Sequence, residues 1–123
     1  MLTRTQLAQY TITGLMAWFA AAMTVRFFGD WLAGGAAATI YLLTLPVIWA
    51  SVVTLQRLLS ATAGELVAGV SIGTAAAAFC DGVALRWFPE LYGPHSAAGG
   101  AWILWGAAAF LSSSFLTPGR RRR

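Results

Sequence analysis

The segment from Ala78 to His95 reads AFCDGVALRWFPELYGPH and sets the chain's one cysteine, Cys80, beside an acid, Asp81, at the end of a long apolar stretch. A carboxylate in such a place can hold a cation, carry a proton, or pair with a base. Two arginines are candidate partners, so Asp81, Arg26 and Arg86 form the candidate polar site. Arg86 lies five residues further along the same helix, which is about 140° of rotation, so it points away from Asp81. Arg26, at the end of an earlier apolar stretch, is the expected partner, and Thr39 and Tyr41 are further possible donors. A charged Asp facing lipid costs about 2 to 3 kcal/mol, so this one must turn inward, be paired, or be protonated. Two readings follow: an Asp81–Arg26 pair that locks helices together, or a proton, cation or substrate site.

The remaining reactive groups point to less. Asp30, Glu90 and His95 extend the polar patch, with His95 expected as a solvated loop residue. No spacing of metal ligands is evident around it. Cys80, about 100° from Asp81 on a helix, reads as a packing residue. Ser112, Ser113 and Ser114 fall far from His95, and no hydrolytic triad can be drawn. No cofactor, metal site or enzymatic activity is expected.

The elements that position these groups follow from composition. The 123 residues are 59% hydrophobic and 10% charged, against roughly 25% charged in a soluble domain. A bilayer core of about 30 Å takes roughly 20 apolar residues in a helix. Four stretches qualify, about 7–25, 36–55, 66–85 and 97–116. They predict an all-α integral membrane bundle of four transmembrane helices in up-down topology, one domain over 1–119. Short loops predict that consecutive helices are antiparallel neighbours. Arg4 followed by an apolar region and Ala20-Ala21-Ala22 has the features of a signal peptide, but the segment is expected to remain as a span.

All eight basic residues are Arg, and Arg120–Arg123 form a basic tail that anchors topology at the membrane surface. This pattern does not fit nucleic-acid binding. Six of the arginines, Arg4, Arg57 and the tail, fall on one side of the four spans and two, Arg26 and Arg86, on the other. Both termini are therefore expected in the cytoplasm, in the plasma or bacterial inner membrane. Trp31, Trp87, Phe88 and Tyr92 are expected at the outer interface and Tyr10 near the inner one. The partners implied are the lipid bilayer and either a second copy or a larger membrane protein.

Small residues recur at helix-packing spacing: Gly69, Gly73 and Ala77 in the third span, Gly14, Ala17, Ala21 and Thr24 in the first, Gly99, Gly106 and Ala109 in the fourth. They predict close internal packing, with a dimer face as the alternative. Pro46 predicts a kink in the second span, with Thr44 bonding a backbone group.

Three stretches, Tyr41-Leu42-Leu43-Thr44-Leu45-Pro46, FCDGVALRWFPELYG over 79–93 and Ala101-Trp102-Ile103-Leu104-Trp105-Gly106, together resemble a set of small, uncharacterised four-helix bacterial membrane proteins. The resemblance covers the last three spans and carries no activity or site residue. Small multidrug exporters fit less well, since they use a Glu in the first helix and none stands here. Quinone-linked disulfide-forming proteins need several cysteines. The expectation is a structural or accessory protein acting through helix contacts; the alternative is a minimal dimeric transporter or channel using Asp81.

Overall fold

The computed structural model describes residues 1–119; the arginine tail at 120–123 lies outside the described residues. Four α-helices make up the described residues: α1 (Arg4–Ala33), α2 (Ala37–Leu59), α3 (Ala63–Trp87) and α4 (Ser96–Leu116), with a 3-10 turn at Pro89–Tyr92 between the last two. Each α-helix is long and apolar enough to cross a membrane. The all-α four-helix membrane bundle is thus as expected.

The helix starts explain the boundaries. Thr3 accepts from the Gln6 N–H at 3.1 Å while Gln6 accepts from the Thr3 N–H at 2.9 Å, and Thr62 and Glu65 repeat this reciprocal cap on α3. Two otherwise orphaned donors are satisfied at each start. Several hydroxyls inside the spans bond to their own helix: Thr13 donates to Gln9, Thr24 to Ala20, Ser51 to Val47 and Ser71 to Val67. Such back-bonding lets a hydroxyl sit in hydrocarbon without an outside partner.

Several boundaries move. α1 continues past Val25 to Ala33, and α2 continues past Leu55 to Leu59. α2 is capped by Ser60, a left-handed residue (φ 50°) whose N–H returns to the Arg57 carbonyl. Pro46 lies inside an unbroken α2. A break in helical dihedrals falls at Phe28 in α1 (φ −121°, ψ 17°). Thr44 does bond a backbone carbonyl, that of Ile40 at 2.7 Å, and also accepts from the Trp102 indole at 3.0 Å.

The helix order in space differs from the order in sequence. The most extensive interface joins α1 to α3, α2 packs mainly on α4, and α2 barely meets α3. Register shows the directions. Tyr10 lies on Gly69 and Gly14 on Gly73, so α1 and α3 run parallel. Val25 lies on Gly99 and Gly29 on His95, so α1 and α4 run antiparallel. Thr44 meets Trp102 and Ile48 meets Gly106, so α2 and α4 run parallel. The most extensive contact is thus between non-consecutive helices, because Gly14, Gly69 and Gly73 let α1 and α3 approach closely, while the consecutive α3 and α4 pack as extensively as α2 and α4.

At that interface a Cβ on Gly14 would collide with the Gly73 backbone, and one on Gly69 with the Tyr10 ring. Gly69 and Gly73 thus serve internal packing, as their spacing implied, while Ala77 is half-buried. On α1 the contact face is Tyr10, Gly14, Ala22, Val25 and Gly29, and Ala17 of the expected stripe is exposed. Two apolar clusters fill the bundle. One, around Val52, Ala61, Leu66 and Val70, lies at the end carrying the N-terminus; the other, around Ala22, Val25, Ala84 and Tyr92, lies at the far end. Large side chains such as Leu42, Phe79, Leu104 and Phe115 face outward, as the surface of a lipid-embedded bundle does.

Candidate functional site

The site is assembled by a short segment that turns back into the bundle. Pro89 cannot continue α3, and Phe88 before it leaves the helical region (φ −133°, ψ 49°). Pro89 then opens the 3-10 turn, and Gly93 closes it at φ 74°, a left-handed value suited to glycine. Gly93 lies against the Arg26 backbone, where a Cβ would come within 3.4 Å of the carbonyl oxygen. The turn drives Tyr92 inward until none of it is exposed.

There the Tyr92 hydroxyl donates a short hydrogen bond to the Asp81 carboxylate, and it accepts one from the Trp18 indole N–H at 3.1 Å. Asp81 is only 9% exposed. The three side chains come from α1, α3 and the turn. Burial, reinforced by the carboxylate that it donates to, pushes the Tyr92 phenol above its ordinary value of 10.0. The phenol therefore stays protonated and remains a donor. The chain of bonds ends at Trp18, because an indole N–H donates but accepts nothing.

The expected Asp81–Arg26 pair is replaced by this arrangement. Arg26 is exposed and donates to the Glu90 backbone carbonyl at 3.3 Å. A phenol satisfies the carboxylate without burying a second charge, whose desolvation would offset much of the attraction. Arg86 points away, as its spacing implied, and lies 5.8 Å from the Trp87 ring centroid in a cation–π contact. Thr39 and Tyr41 do not reach the acid either; the Tyr41 carbonyl accepts from the Trp105 indole. His95, expected as solvated, meets Asp30 at 2.5 Å and packs against Gly29, tying the start of α4 to α1. Cys80 is half-exposed and lines a groove of about 560 Å³ between α1, α3 and the turn.

Sequence reasoning missed Tyr92 and Trp18 as partners of the acid. Tyr10 is 1% exposed inside the bundle, and its hydroxyl has no hydrogen-bond partner among the described residues. At the other end Gln56 donates to the Pro118 carbonyl at 2.8 Å and fastens the chain after α4 to α2. Among the described residues no three His, Cys, Asp or Glu side chains gather as a metal site would need. Compared with known proteins, the chain matches no family model, no curated protein and no solved structure.

Proposed function

We propose that this is a structural or accessory membrane protein without enzymatic activity, acting through helix contacts with a second copy or a larger membrane partner. The observation that carries the reading is Asp81, whose carboxylate is held by Tyr92, itself held by Trp18. An acid poised for transport must exchange its ligand with water or ion. This one is enclosed by two aromatic side chains that join α1, α3 and the connecting turn. The back-bonded hydroxyls support the same reading, since they are turned to their own helices and line no polar path.

The arginine asymmetry supports both termini in the cytoplasm of the plasma or inner membrane. The far end, with Trp31, Trp87 and Phe88 exposed, then lies at the outer interface.

Purified protein in liposomes loaded with a pH-sensitive dye tests the reading against the transporter alternative. Under imposed proton, sodium and potassium gradients, the dye signal should match that of protein-free liposomes. A flux that disappears in Asp81→Asn would establish the acid as a transport site and end the accessory reading.

A further inference from the structure

We propose that the groove between α1 and α3 at the far end holds one phospholipid whose head group carries both a phosphate and a primary amine, as in phosphatidylethanolamine. The groove has about 560 Å³, within the roughly 300 to 1,000 Å³ of sites that hold small ligands. Its walls are Trp18 on α1, Phe79 and Val83 on α3 and Phe88 before the turn. Phe79, Val83 and Phe88 are all at least half exposed, so the groove opens sideways, toward lipid.

The polar groups stand only at its mouth. Arg26 and Glu90 line the same groove, and both are exposed. Trp18 lies two turns below Arg26, about 12 Å along α1, which is most of one leaflet's share of a roughly 30 Å core. An acyl chain laid against Trp18, Phe79 and Val83 therefore brings its phosphate to the level of Arg26.

Arg26 is held in place by its bond to the Glu90 carbonyl. That bond uses one of five guanidinium N–H groups and leaves the fork geometry available for phosphate oxygens. Glu90, exposed and lining the same groove, selects the rest of the head group through its carboxylate. It repels a purely anionic one and attracts a cation. A primary ammonium can donate hydrogen bonds to it, whereas a quaternary ammonium cannot.

Native mass spectrometry of delipidated protein, titrated with phosphatidylethanolamine, phosphatidylcholine and phosphatidylglycerol of identical acyl chains, tests this. The ethanolamine lipid should bind about tenfold more tightly than either competitor. Arg26→Gln should cut its affinity by about tenfold, and Glu90→Gln should abolish its advantage over phosphatidylcholine. Val83→Trp, which fills the groove and leaves the mouth intact, should weaken all three lipids. These positions are exposed, so the variants should fold, and thermal unfolding confirms that they do. Equal binding of the ethanolamine and choline lipids would overturn the head-group assignment. Unchanged binding in Val83→Trp would overturn the groove itself.

Discussion

Asp81 on α3 and Tyr92 on the following turn, eleven residues apart in the chain, share a short hydrogen bond at the centre of the far-end core. The pairing solves two problems together. The carboxylate gains a donor in a place where an unpaired charge is costly, and the connection between α3 and α4 gains a fixed position. Trp18, donating to the same hydroxyl at 3.1 Å, brings α1 into the arrangement. The polar cluster thus ties α1, α3 and the connecting turn together at this end.

The parallel contact of α1 and α3 depends on glycine at the crossing. A Cβ on Gly14 would strike the Gly73 backbone, which cannot step aside as a flexible side chain could. Gly14→Ala should destabilise the protein by about 1 to 3 kcal/mol, the usual range for overpacking. Gly82, on α3 with nothing within 4 Å of its would-be Cβ, is the control. Gly82→Ala should be neutral or stabilising by up to about 1 kcal/mol through helix propensity. Thermal unfolding in detergent compares them, and equal midpoints would mean that the two helices can separate at Gly14 without loss.

Tyr10 presents the opposite case, a polar atom that stability would gain from losing. Its ring fills the space above Gly69, but its buried hydroxyl has no partner among the described residues. Tyr10→Phe keeps the ring and removes the unsatisfied group. The variant should be as stable as the parent or more so by about 1 kcal/mol. A clear loss in denaturant or thermal unfolding would show that the hydroxyl does have a partner in the membrane.

The helices, their number and the inward turn of Asp81 were legible in the sequence because they follow from local facts: apolar length, breaks at Gly and Pro, and the cost of a charge in hydrocarbon. The acid's partner was not. Pro89 and Gly93 announce a turn, but nothing local says that it folds back over Asp81 rather than along the membrane surface. Tyr92 consequently read as an interface aromatic beside Trp87 and Phe88. The neighbour relations were hidden for a similar reason. Short loops suggested sequential pairing, whereas Gly14, Gly69 and Gly73 bring non-consecutive helices closest. Only the match of the Tyr10 ring to the gap at Gly69 makes that visible.

Alkaline pH should weaken the folded state through Tyr92. Its phenol is raised in the folded protein, above the ordinary 10.0 that the unfolded chain approaches. Below that value the contribution is fully present. Above it the unfolded chain releases a proton that the folded one retains, so stability falls as pH rises toward the folded value. Unfolding midpoints measured from pH 8 to 11 should drop less steeply in Tyr92→Phe than in the parent. Parallel slopes would mean that the phenol is not held at a raised value.

Orientation is checked with two exposed glycines that have no neighbours within 4 Å of a Cβ, Gly35 at the far end and Gly64 at the end carrying the N-terminus. In a Cys80→Ala background, Gly35→Cys should react with an impermeant thiol reagent in intact cells, and Gly64→Cys should react only after lysis. The reverse pattern would place both termini outside.

The most direct test of Asp81 as a structural group is a double-mutant cycle with Tyr92, read by equilibrium unfolding in detergent. Asp81→Leu leaves the Tyr92 hydroxyl without its acceptor, and Tyr92→Phe leaves the carboxylate without its donor and the Trp18 indole without its acceptor. Each should cost roughly 1 to 3 kcal/mol. The double variant, with both sides apolar, should lose less than the sum, giving a coupling of at least about 1 kcal/mol. A coupling near zero, with Asp81→Leu as stable as the parent, would contradict a structural role and return the acid to the transport reading.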